Sequence, residues 1–93
     1  MLMAGALMPK LSQFYGIKIA MYSDEHGVPH FHAYYEGRAV VIGIQPLSII
    51  TGSIRPRALA LVMEWAATHQ AELIAAWNTL QADGTPAKIA PLP

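Results

Sequence analysis

The sequence contains no cysteine, few charged side chains and no excess of either charge. Without thiols, disulfide bonds and thiolate metal sites are excluded, and we expect a reducing, cytoplasmic location. Six basic and six acidic residues balance to a formal net charge of zero. No overall field therefore draws the chain to nucleic acid or to an anionic membrane, so that any charge-dependent function requires a local cluster.

Long hydrophobic runs are also missing. The apolar opening, residues 1–7, is too short for a membrane span or a signal-peptide core, and no positive charge precedes it, so we expect no membrane partner. Met8-Pro9 resembles a second start, and we predict that residues 1–7 are a disordered extension whose deletion leaves the fold intact. Residues 8–93 are predicted to form a single domain, because a chain of this length and 54% hydrophobic content closes one core but hardly two.

The first half of the chain does contain strand-like alternation. Residues 17–22 alternate with period two, and residues 30–35 and 38–44 flank Glu36-Gly37, a two-residue hairpin turn. A further short edge strand is predicted over residues 47–51. Before these strands, Ser12 is predicted to cap a short turn that carries Phe14.

The hairpin turn also predicts the register of its two strands. Phe31 should pair with Ile42, and Ala33 with Val40, which places four apolar side chains on one face. This face is predicted to be the core side. The polar side chains of residues 30–35 are then predicted to lie on the opposite face.

From Pro56 onward the pattern is helical, with apolar residues at spacings of three and four. One bent helix is possible, but Thr68-His69-Gln70 has the weakest helix propensity, so two helices are favoured over about residues 56–68 and 70–82. Asp83-Gly84 is the predicted stop. The predicted fold is therefore α+β, an antiparallel three- or four-stranded meander followed by two C-terminal helices packed on one face.

Three of the four histidines lie in one short stretch. On a strand, His30, His32 and Tyr34 project from the same face, and they are the candidate catalytic groups, since histidine can serve as general base or acid. His26 or Asp24 can add a ligand from the preceding loop, so His26, His30 and His32 form a candidate divalent-metal site. No organic cofactor is expected, and a bound divalent metal ion is possible. The histidines can equally serve only to hydrogen-bond carbonyls and carboxylates.

Arg55 and Arg57 lie at the predicted start of the first helix, where the helix dipole disfavours cations by up to about 1 kcal/mol. A phosphate would satisfy both arginines together with the helix-terminal amides. With Asp24 and His26 they are therefore the candidate ligand-binding residues. The alternative is that the arginines pair with surface carboxylates, namely Asp24, Glu25 or Glu36.

Several short motifs together resemble a small prokaryotic family known only as a domain of unknown function. They are Met8-Pro9, Phe14-Tyr15-Gly16-Ile17, Met21-Tyr22, Asp24 with His26, Pro29-His30-Phe31-His32, Tyr34, Arg57-Ala58-Leu59, Val62, Glu64-Trp65 and Glu72-Leu73 with Trp77. The Pro-His-Phe-His core is the most specific of them, although this chain has Val28-Pro29 where such sequences commonly have two prolines. The resemblance implies a cognate small protein encoded nearby, because genes of the family often form pairs similar to toxin–antitoxin pairs. It implies no established activity.

Two function classes follow. The first is a small cytosolic protein-interaction module that is one member of a toxin–antitoxin-like pair. It would bind its partner through its polar sheet face, its exposed edge or its tail, and it could also form a homo-oligomer. The second is a histidine-dependent, nuclease-like hydrolase, with or without a divalent metal, in which Arg55 or Arg57 stabilises phosphate charge. No Lys/Arg-rich groove supports RNA as a partner, so the interaction module is the predicted function and enzymatic activity stays open.

Overall fold

The computed structural model describes residues 9–93. The elements, in chain order, are β1 (Lys10–Phe14), β2 (Ile17–Ala20), β3 (His30–Tyr35), β4 (Arg38–Ile44), β5 (Leu47–Gly52), α1 (Pro56–Thr68) and α2 (Gln70–Gln81). The strands form one antiparallel sheet in the order β1-β2-β3-β4-β5, so each strand pairs with the next along the chain. The α+β class and the C-terminal helices agree with the prediction. The predicted disordered extension, residues 1–7, lies outside the described residues.

The prediction of three or four strands was too low, because β1 is a strand and not a capped turn. Leu11 and Ser12 are both buried, and the register shifts between Lys10 and Ser12, which marks a β-bulge. The bulge breaks the period-two alternation inside a short strand, which removes the usual sequence signal. Leu11 and Phe14 enter the core as a result.

The β3–β4 hairpin has the predicted register. Phe31 lies opposite Ile42 and Ala33 opposite Val40, and all four side chains are fully buried. Both residues of the turn at 36–37 have positive φ, as a two-residue hairpin turn of this kind requires. The register therefore places the polar side chains of β3 on the opposite face of the sheet, although His30, at the first position of the strand, also reaches the Trp77 ring of α2.

Two helices cover the core face and meet at His69, as the sequence predicts. Their buried residues are Ala58, Val62, Trp65, Ala66, Leu73, Ala76, Trp77 and Leu80. α2 ends in a Schellman motif, in which the N–H of Gly84 donates to the Thr79 carbonyl and the N–H of Asp83 donates to the Leu80 carbonyl. Within residues 9–93, neither helix has the length and hydropathy that crossing a bilayer requires.

The two edges of the sheet differ. The outer side of β1 is covered by the C-terminal tail, where the N–H of Ile89 donates to the Leu11 carbonyl over 2.8 Å. The indole N–H of Trp65 donates to the Ala90 carbonyl, also over 2.8 Å, and Ile89 is buried in the core. In the described part of the chain, no strand pairs with the outer side of β5. Among residues 9–93, the outer side of β1 is therefore covered and that of β5 is open.

Candidate functional site

A carboxylate and two imidazoles converge at the start of β3. The alternation of β3 brings His30 and His32 to one face, and the loop between β2 and β3 places Glu25 against both of them. Glu25 Oε1 lies 3.0 Å from His30 Nε2 and 2.8 Å from His32 Nε2. Oxygen and nitrogen atoms that can bind a metal therefore meet at one point, within 4.8 Å of one another.

Each imidazole is held by further contacts. His30 Nδ1 lies 2.8 Å from the Val28 carbonyl, and the His30 ring packs 4.9 Å from the Trp77 ring. The His32 ring lies 4.6 Å from Tyr22 in an edge-to-face arrangement. Because ring packing of this kind restricts rotation, both Nε2 atoms are held toward Glu25.

The loop that carries Glu25 is fixed by the end of α2. Gln81 Nε2 donates to the backbone carbonyl of Glu25 over 2.8 Å. The Glu25 side chain retains 32% exposure, whereas those of His30 and His32 retain 12% and 14%. The cluster is therefore anchored from the helical layer and still open to solvent on one side.

Two tyrosines extend the cluster along the same face. The hydroxyls of Tyr22 and Tyr34 are hydrogen-bonded to each other, and the Tyr34 ring stacks 6.2 Å from His32. Burial, with smaller contributions from Tyr22 and Glu25, raises the pKa of Tyr34 to about 12. Tyr34 therefore stays protonated at neutral pH, where it can donate a hydrogen bond but does not serve as a base.

The structure brings together three of the predicted site residues, His30, His32 and Tyr34. His26 and Asp24 are exposed and lie outside the group, and the carboxylate that joins the histidines is Glu25. Side chains in an irregular loop follow no period, so the sequence pattern does not distinguish Glu25 from its two neighbours. The only sequence signal for Glu25 is that the loop residues 24–26 lie close to His30 and His32 along the chain.

The two predicted arginines lie elsewhere. Arg55 Nε donates to Glu36 Oε1 over 2.9 Å, and both Arg55 and Arg57 are exposed beside an open surface cavity of about 650 Å³. Glu36 follows the far end of β3, about 13 Å from His32 at the rise of about 3.3 Å per strand residue. The arginines are therefore not part of the histidine cluster.

A family model described as "Domain of unknown function (DUF4160)" matches residues 16–78 of the chain. The match extends from β2 into α2 and includes Glu25, His30, His32 and Tyr34. No curated protein and no solved structure matches the chain. The chain belongs to the DUF4160 family of domains of unknown function.

Proposed function

We propose that the chain is a small cytoplasmic protein-interaction module, one member of a pair similar to toxin–antitoxin pairs, which binds an extended segment of a cognate small protein along β5. The observation that supports this proposal is the difference between the two sheet edges. The tail covers β1, whereas no strand among residues 9–93 covers β5. An open edge presents backbone N–H and C=O groups that a strand from another protein can pair with.

The side chains of β5 favour an apolar partner segment. β5 contains no charged residue and no proline, which are the residues that commonly block pairing at an edge. Ile49 lies opposite Ile42 on the core side, and Ile50 lies near Gly43 on the other face. Ile49 is 52% exposed and Ile50 is 47% exposed. A partner strand rich in β-branched residues would cover both isoleucines.

Replacing both isoleucines with lysine tests this surface. We expect the Ile49→Lys/Ile50→Lys variant to bind the product of the neighbouring gene at least about 10-fold more weakly, because apolar burial is lost and two ammonium groups would have to be desolvated. Isothermal titration calorimetry measures the affinity. Ala60→Lys, which adds a charge at an exposed position of α1, is the control and should bind normally.

Two results would contradict the proposal. Full affinity of the double variant would show that β5 is not the binding surface. A wild-type chain that is dimeric by itself, and that the double variant makes monomeric, would show that a second copy occupies the edge. Analytical ultracentrifugation of the chain alone separates this homo-oligomer from a complex with the cognate protein.

A second candidate function, a small histidine-dependent hydrolase, is favoured by the cluster of Glu25, His30, His32 and Tyr34. An imidazole can move a proton, and the protonated Tyr34 can donate a hydrogen bond to developing charge. The separation of Arg55 from the cluster counts against the predicted role of the arginines in stabilising phosphate charge.

An RNA cleavage assay with and without EDTA tests this second candidate. If the chain is a hydrolase of this kind, His32→Gln should lower the cleavage rate at least about 100-fold, as loss of a general acid or base typically does. His69→Gln is the matched control, since His69 lies outside the cluster and contacts Glu72. Equal activity of the two variants would reject the candidate.

A further inference from the structure

We propose that Glu25, His30 and His32 bind one divalent transition-metal ion, with zinc as the preferred ion, through one carboxylate oxygen and two imidazole nitrogens. This metal site does not depend on the open edge of β5, and it differs from the ligand set of His26, His30 and His32 that the sequence pattern predicts. Three lines of geometry support it.

The first is the spacing of the three ligand atoms. Glu25 Oε1 lies 2.8 Å and 3.0 Å from the two Nε2 atoms, and all three atoms are within 4.8 Å of one another. In a tetrahedral zinc site with bonds of about 2.0–2.2 Å, ligand atoms are roughly 3.3–3.6 Å apart. Moving the carboxylate back by about half an ångström, and turning the imidazoles so that their two Nε2 atoms reach the same separation, makes room for the ion.

The second is the hydrogen bonding of His30. Its Nδ1 lies 2.8 Å from the Val28 carbonyl, which can only accept, so Nδ1 carries the hydrogen. In a neutral imidazole the other nitrogen, Nε2, then has a lone pair, and it faces Glu25 Oε1 at 3.0 Å. Two acceptors at this distance repel each other, so the contact is favourable only with a positive charge between them, either a second proton on the ring or a metal ion. A metal ion satisfies both, and metal-bound histidines usually donate their second N–H to a carbonyl in this way.

The third is the support around the ligands and the access to them. Gln81 holds the loop of Glu25, and aromatic rings restrict both imidazoles. The carboxylate side of the cluster remains partly exposed, so water can complete the coordination. Two nitrogens and one oxygen are typical of zinc and its first-row neighbours, whereas calcium and magnesium prefer oxygen ligands alone.

Titration of zinc chloride into the metal-free chain tests the site. We expect one zinc ion per chain, measured by calorimetry and by elemental analysis after dialysis. Glu25→Gln and His32→Gln should each weaken binding by at least about 100-fold, and Gln81→Leu, which removes only a positioning contact, by about 10- to 100-fold. His26→Gln and His69→Gln are the matched controls, and both should bind zinc as the wild type does.

Two further measurements separate loss of the site from loss of the fold. Circular dichroism in EDTA shows whether each variant is folded, and zinc should raise the midpoint of thermal unfolding of the wild type and of His26→Gln but not of Glu25→Gln. In the wild type itself, zinc should shift the side-chain ¹⁵N resonances of His30 and His32 and leave those of the other histidines in place. This last measurement decides the question even if a ligand variant fails to fold.

Three outcomes would overturn the proposal. If the wild-type chain binds no zinc, the three side chains are held by hydrogen bonds alone and form no metal site. Loss of binding in His26→Gln, with binding retained in Glu25→Gln, would establish the ligand set predicted from the sequence pattern. Resonance shifts at His69 equal to those at His30 and His32 would show non-specific binding to surface histidines.

Discussion

Replacing Trp65 with alanine is expected to lower the free energy of unfolding by about 3–5 kcal/mol. The side chain is fully buried, and its ring packs 5.3 Å from Phe14 and 6.0 Å from Phe31. Its indole N–H also donates to the Ala90 carbonyl, which holds the tail against the sheet. Because small domains are stable by only about 5–15 kcal/mol, a loss of this size removes from about a fifth to all of the stability of the fold. Chemical denaturation measures the loss.

Trp65→Phe separates packing from hydrogen bonding at this position. It keeps an aromatic ring in the core but removes the donor to Ala90, so we expect a smaller loss, of about 1–3 kcal/mol. If both variants lost the same free energy of unfolding, the hydrogen bond to Ala90, and not the packing of the ring, would account for the contribution of Trp65. A loss below about 1 kcal/mol for the alanine variant would mean that Trp65 is not a core anchor.

The second large effect is expected at Gly52, where alanine should cost about 2–5 kcal/mol. Gly52 has a φ of +82°, and an added Cβ would lie 2.4 Å from the Ala39 carbonyl oxygen and 3.1 Å from Val40 Cα. Both are backbone atoms of the neighbouring strand, so the contact cannot be relieved by turning a side chain. The end of β5 would have to move away from β4.

Gly37→Ala is the matched control for this prediction. Gly37 has a similar φ of +77°, but no atom lies within 4 Å of its added Cβ. Its replacement should therefore cost only the backbone strain, about 1–2 kcal/mol. Thermal unfolding of both variants measures the difference, which is the cost of the collision. Equal destabilisation would show that Gly52 is required for its φ alone.

The parts of the fold that the sequence pattern predicts are those determined by local chemistry. Glu36-Gly37 specifies a two-residue turn, and that turn together with the alternation of the flanking strands determines which side chains of β3 face the core. The break at His69 and the stop at Asp83 are likewise determined by residues within one or two turns.

What the pattern misses depends on irregular backbone and on distant contacts. The bulge in β1 hides its alternation, and the strand needs Ile89 from the far end of the chain to cover its edge. The same limit applies to the site. The face of His30 and His32 follows from strand periodicity, but the choice of Glu25 over its neighbours depends on a loop conformation held by Gln81 of α2.

The covering of β1 by the tail has a consequence for biosynthesis. All four strand pairs of the described sheet join neighbours in the chain, so they can form soon after each hairpin leaves the ribosome. The contact between Lys88 and Lys10 spans 78 positions. At about 5–20 residues per second, Lys88 is therefore added roughly 4–16 s after Lys10. Until the covering segment has been synthesised, the outer side of β1 is as open to pairing with a strand of another chain as the outer side of β5.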